Sequence, residues 1–240
     1  MGKNWGVICR CVSMLLLASM TTQAQDVSTP SGTQFIQLQI QPLLHNKVLV
    51  LGQKVFIPLL NDSIQIDRLR FYLSDISFST SSGTTGKTEQ RFFLIDLENP
   101  TSLMRSLPMV EASPWDRIHF QIGVDSATQM QGVQGGDLDP MHGMYWSWRS
   151  GYVNFKCEGT SPICPGRNKE FLFHIGGFQA PFNTLQSVDL PVYSDTVVIQ
   201  IDLTPLFTLP RITQNYNVMS PNAKAMTFAL QLPFLFHSKP

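Results

Sequence analysis

From residue 34 to residue 41 the chain alternates without a break. Ile36, Leu38 and Ile40 take one parity with Gln34, and Gln37, Gln39 and Gln41 take the other. Successive side chains of a strand point to opposite faces, so this run builds a strand with one dry face and one wet face. The same period recurs at 47–51, 54–58, 64–72, 75–80, 91–97, 117–124, 151–157, 170–175, 196–203 and 225–236, and helical periodicity does not. Roughly ten short strands divided by Gly, Pro, Asn and Ser predict an all-β chain, an antiparallel β-sandwich or barrel-like sandwich. Ser81 to Gly86 reads as a polar hairpin tip, and the connection from Asn99-Pro100 to Ser113-Pro114 has room for a helical turn. The longest irregular segment runs from Ser126 to Met144, and long loops on a rigid scaffold often carry function.

The N-terminus is a separate matter. Lys3 and Arg10 precede an apolar run from Val12 to Met20, and Thr22-Gln23-Ala24 supplies a small-x-small cleavage site. Residues 1–24 are therefore expected to be a secretory signal peptide, too short in its apolar part to span a bilayer. The remaining residues, 25–240, are expected to form one exported domain without membrane insertion. Over the whole chain 17 basic side chains balance 17 acidic ones. No basic field exists to hold a nucleic acid.

Only Cys157 and Cys164 follow the signal. They flank Glu-Gly-Thr-Ser-Pro-Ile, a turn-rich stretch, and in an oxidising compartment a disulfide is the reading preferred over two free thiols. The spacing does not match that of zinc-binding pairs.

The chemistry-bearing residues crowd into one segment. His142, Met144, Trp146 and Trp148 would share a face if the chain were extended there, presenting imidazole, thioether and indole together. Imidazole and thioether suit copper better than calcium or magnesium. The ordinary alternative is a core strand whose tryptophans pack inward. His174 lies opposite in parity to Phe171, Phe173 and Ile175, beside Gly176-Gly177; His45 sits near a turn between two strands, and His119 alternates with Ile118 and Phe120. No sequence-local metal spacing links them, so a site must be assembled from distant strands. Asp125, Asp137, Asp139 and Glu158 read first as turn-capping carboxylates. No nucleophile elbow, P-loop or dinucleotide fingerprint is present.

Several ordered motifs nevertheless resemble one family. Leu69-Arg70-Phe71-Tyr72-Leu73-Ser74-Asp75-Ile76, Ile122-Gly123-Val124-Asp125-Ser126, Gly136-Asp137-Leu138-Asp139-Pro140, Gly143-Met144-Tyr145-Trp146-Ser147-Trp148, Lys156-Cys157-Glu158-Gly159 and Phe173-His174-Ile175-Gly176-Gly177 are similar to the MbnP-like periplasmic copper-binding family. The resemblance spans about Phe35 to Leu232. It implies a β-rich periplasmic protein, not an enzyme, that binds a copper ion for capture or handover. It further implies that a partner di-haem cytochrome c peroxidase of the MauG-like type oxidises one tryptophan to kynurenine. Carried over by motif, Trp146 or Trp148 is the modified residue, His45, His142 and His174 are the imidazole candidates, and a copper-exchange partner is expected of a monomer. Two other readings stay open. One is a carbohydrate- or protein-binding module with Tyr145, Trp146, Trp148 and Tyr152 as an exposed platform; the other is a hydrolase using Asp125, Asp139 and Glu158.

Overall fold

The alternating run of residues 34–41 becomes a strand with Ile36, Leu38 and Ile40 buried, and it organises one of two sheets. The computed structural model describes residues 1–2, 34–109, 114–147, 149–208 and 212–240. The expected signal peptide beyond residue 2, and Trp148, lie outside the described residues. Thr33–Pro240 separates as one compact unit. Its strands are β1 (Gln34–Leu44), β2 (Lys47–Val48), β3 (Lys54–Ile57), β4 (Asp62–Ser79), β5 (Thr85–Lys87), β6 (Phe92–Asp96), β7 (Met104–Met109), β8 (Arg117–Ile122), β9 (Tyr145–Ser147), β10 (Gly151–Thr160), β11 (Glu170–Gly176), β12 (Gln186–Pro191), β13 (Thr196–Asp202), β14 (Asn217–Val218) and β15 (Phe236–Ser238). Among the described residues three short α-helices, α1 (Ser126–Met130), α2 (Thr204–Thr208) and α3 (Ala223–Ala229), fill connections.

The smaller sheet runs β15-β13-β1, with β2 and β7 on the far edge of β1. The larger follows β12-β8-β4-β10-β11-β14. Strand β4 is its spine: β10 and then β8 pair along one edge, and β3, β6 and β5 along the other. The expected sandwich-like all-β fold is present, with two refinements. Pairing is mixed, because β1 with β13 and β11 with β14 run parallel. The segments 64–72 and 75–80 are one strand of 18 residues, bulged where Asp75 takes a φ of 49° and the register to β8 shifts. A bulge interrupts alternation without turning the chain.

The inner faces meet in one core. Phe236 of the smaller sheet lies 5.8 Å from Phe71 and 5.6 Å from Phe120 of the larger, both at edge-to-face angles. Phe171, Phe173, Phe207 and Phe228 continue the core as a chain of ring contacts. The apolar run 225–236, expected as a strand, is instead α3, a 3-10 turn at Leu232–Leu235 and the start of β15; Asn222 caps α3 by accepting from Ala225 N at 2.9 Å. In the connection after Asn99 the helical turn forms at Pro100–Leu103, and β7, missed in the sequence, follows it.

Cys157 and Cys164 need correction, because both are free, buried thiols. Cys157 faces the core from β10, while Cys164 lies past the strand end in a turn whose amide returns only to Ser161 O at 2.9 Å. Burial pushes both thiols up, that of Cys164 to about 11.

Candidate metal centre on the outer face of the larger sheet

The outer face of the larger sheet carries two layers that a solvated sheet would not. Across four strands, Asp96, Arg70, Lys156 and His174 stand side by side in register, and Arg68 and Glu158 form the row below. Above them the face turns apolar: Tyr72, Leu94, Tyr152 and Val153 pack with Val124, Leu138 and Met144 as a second core beneath the long loop. The segment Ser126–Met144 is thus a cover. It opens with α1, where Asp125 accepts from Thr128 N at 3.0 Å and pairs with Arg91 at 3.1 Å. It closes with 3-10 turns at Gly136–Leu138 and Pro140–His142.

His174 is nearly buried, and its Nε2 lies 2.6 Å from Glu158 Oε1. That hydrogen bond, helped by the His174, Arg68 and Lys156 charges, holds the Glu158 carboxyl down to about 2 against an opposing desolvation. The carboxylate is therefore the acceptor. It draws the imidazole proton to Nε2 and leaves the lone pair on Nδ1 in the neutral ring. A histidine ligand is commonly oriented by such a carboxylate.

Two residues beyond His174 on the same strand face, about 6.8 Å along, is Gly176. A Cβ placed there would lie 2.9 Å from Cζ3 of Trp146, so the indole rests on that glycine. The Trp146 Nε1, the Tyr145 hydroxyl and the Tyr72 hydroxyl are all buried without a hydrogen-bond partner among the described residues. Burial raises the Tyr72 phenol, with Tyr152 and Asp137 adding to the shift. Tyr145 and Tyr152 meet with ring centroids 4.9 Å apart, and Tyr152 stands 6.0 Å from Tyr72. A buried donor left unpaired costs about 1–3 kcal/mol.

The expected extended face of His142, Met144 and Trp146 does not form. His142 ends a 3-10 turn and Gly143 adopts φ 67°, so regular strand begins only at Tyr145. Met144 is buried in the second core, while the His142 ring is exposed and its Nε2 lies 3.1 Å from Gly136 O. His45 stands at the β1–β2 turn of the other sheet, its amide bonded to Thr204 Oγ1 at 2.8 Å. Thus His174 and Trp146 share one patch, His142 is carried on the segment above it, and His45 is elsewhere. Among the described residues no group of three or more His, Cys, Asp and Glu side chains has metal-holding geometry.

The aromatic platform is not formed by its described members, because Tyr152 is fully buried and Trp146 and Tyr145 are partly so. The carboxylates of the hydrolase reading are separately engaged: Asp125 and Asp139 cap helical turns, and Glu158 is bound to Arg68 and His174. Sequence reading missed Arg70, Lys156 and Glu158 as companions of His174, although their positions at alternate residues of β4 and β10 were the available signal. No helix of the described residues is long and apolar enough to cross a membrane.

An all-β sandwich with a covered outer face and a carboxylate-oriented histidine defines the class of protein. The chain belongs to the MbnP family, whose match covers residues 33–220. Among solved structures it is similar to MbnP from Methylosinus trichosporium, with 13% identity, a TM-score of 0.60, and coverage of 82% of this chain and 88% of that one. At that identity the likeness concerns the fold. No curated protein matches the chain.

Proposed function

We propose that this protein is an exported, periplasmic copper carrier that binds the ion as cargo on the outer face of the larger sheet and is not itself an enzyme. The observation that carries the reading is His174, an almost buried imidazole whose Nε2 hydrogen-bonds the Glu158 carboxylate 2.6 Å away, so that Nδ1 carries the lone pair of the neutral ring. An imidazole and the thioether of Met144 are donors of the type reduced copper prefers. Family membership supports the copper assignment.

Trp146 is the residue we assign to oxidation. Its Nε1, unpartnered among the described residues, is a poor metal donor, whereas the aryl amine of kynurenine can donate to copper from the same position over Gly176. The oxidant is a partner di-haem cytochrome c peroxidase of the MauG-like type, and a copper-exchange partner then receives the ion from the monomeric carrier. His142, on the same covering segment, is the second imidazole; His45 is left out of the site.

The test is intact mass, peptide mapping and metal analysis on protein from its native periplasm. A peptide bearing Trp146 that has exchanged one carbon for one oxygen, with near-stoichiometric copper, supports the whole reading. His174→Ala should weaken copper binding at least tenfold, about 1.4 kcal/mol. An unchanged titration removes His174 from the site, and protein that carries neither modification nor copper overturns the assignment.

A further inference from the structure

Resting on that copper reading, we infer that Arg70 and Lys156 are positioning residues, a pair of cations that clamps the donor-bearing segment His142–Trp146 onto the sheet beside His174. The segment is irregular where it crosses the outer face, yet three successive carbonyls in it are fixed. Arg70 Nη1 donates to His142 O at 2.7 Å, Lys156 Nζ donates to Gly143 O, and Val153 N donates to Met144 O at 2.8 Å. Tyr145 then enters the pairing with Tyr152, and Trp146 comes to rest on Gly176. Gly143, at φ 67°, supplies the bend that lets the chain descend from the exposed turn to the sheet.

The cations are in place for this task because burying them is costly otherwise. Lys156 is only 8% exposed, and desolvation lowers its ammonium. A hydrophobic side chain would fill that position between strands at less cost. What the ammonium adds is a directed donor to a carbonyl that no strand partner takes.

Arg70 also ties the segment to the imidazole through an unbroken series of polar contacts. Its Nη2 meets Glu98 at 2.6 Å, Glu98 meets Arg68 Nε at 2.9 Å, Arg68 Nη1 meets Glu158 at 2.7 Å, and Glu158 meets His174 at 2.6 Å. The clamp and the carboxylate that orients His174 therefore belong to one charged frame, in which Arg68 and Arg70 pair with Asp96, Glu98 and Glu158 and Lys156 adds a cation near Glu158. The donors on the covering segment and the donor on β11 keep a fixed relation because both are anchored to it.

Lys156→Met keeps the volume and removes the donor. Hydrogen exchange on the full mature chain should show at least tenfold faster exchange of the amides from Gly143 to Trp146, with protection in β8 and β13 unchanged. Cuprous ion titrated against a chromogenic chelator should bind at least tenfold more weakly. Arg70→Met should behave alike, and Arg70→Lys, which retains a cation and a donor, should recover part of both losses; this second pair decides the matter where Lys156→Met does not fold. Unchanged exchange in the segment overturns the clamp. Faster exchange with unchanged copper affinity overturns its positioning role. Wild-type protein that binds no copper overturns the functional reading, and the exchange data alone then support or overturn the clamp.

Discussion

The two faces of the larger sheet are built from the same strands by opposite rules. On the inner face Phe71, Phe155, Cys157, Phe171, Phe173 and Ile175 join one apolar core with residues of the smaller sheet. On the outer face the residues between them, Arg70, Lys156, Glu158 and His174, are drawn under cover while still polar, and each is bonded to a named partner. Nondirectional burial needs only a match of volume and parity, whereas buried charge needs specific geometry. The inner face holds the sandwich together, and the outer face holds one loop and one histidine in a fixed relation.

The strongest way to sharpen the contrast is to damage each face in turn. Phe173→Ala removes a fully buried ring that contacts Phe171, Phe207 and Phe228. It should cost about 3–5 kcal/mol in urea unfolding. Gly176→Ala acts on the outer face, where the new methyl would meet Tyr152 O at 2.7 Å and Trp146 Cζ3 at 2.9 Å. The backbone oxygen cannot yield, so the strand and the indole must shift, at about 1–3 kcal/mol for overpacking. Trp146 fluorescence should change and copper binding fall with it. If Gly176→Ala proved as damaging as Phe173→Ala, the outer layer would carry as much of the fold's stability as the inner core and would not be a device laid over it.

The faces also differed in how far they could be read. Parity alone placed Ile36, Leu38 and Ile40 inward and set His174 against Phe171 and Phe173, since a period of two is all that an inner face demands. The bulge at Asp75 made one strand look like two, and the apolar run at 225–236 hid a helix whose capping signal was Asn222. Pairing direction was not legible either, because β1 and β13 meet across more than 150 residues of chain. On the outer face the side chains could be listed but not joined. Arg68 and Arg70 come from β4, Glu98 from the turn after β6 and Glu158 from β10, and the registers of β4 with β6 and with β10 bring them into contact. The extended reading of His142 to Trp146 failed at Gly143, whose left-handed conformation serves the carbonyls and not the side chains.

The smallest expected effect isolates the bond between the outer frame and His174. Glu158 titrates at about 2 in the folded protein against an ordinary 4.5, chiefly through its hydrogen bond to His174. A folded value below the unfolded one means that the carboxylate contributes stability above pH 4.5 and that this contribution is lost as pH falls toward about 2. Arg68, one of its partners, is 38% exposed, so solvent screening reduces its share. Urea unfolding from pH 6 down to pH 3 should therefore show a decline that Glu158→Gln flattens, while Phe173→Ala lowers stability by the same amount at each pH. If Glu158→Gln left the acid limb unaltered, the carboxylate would not be bonded to His174 in solution, and the imidazole would lose the group that directs its Nδ1 lone pair. If Glu158→Gln flattened the limb and also weakened copper binding with the fold intact, the outer frame would orient the ligand as well as hold the loop.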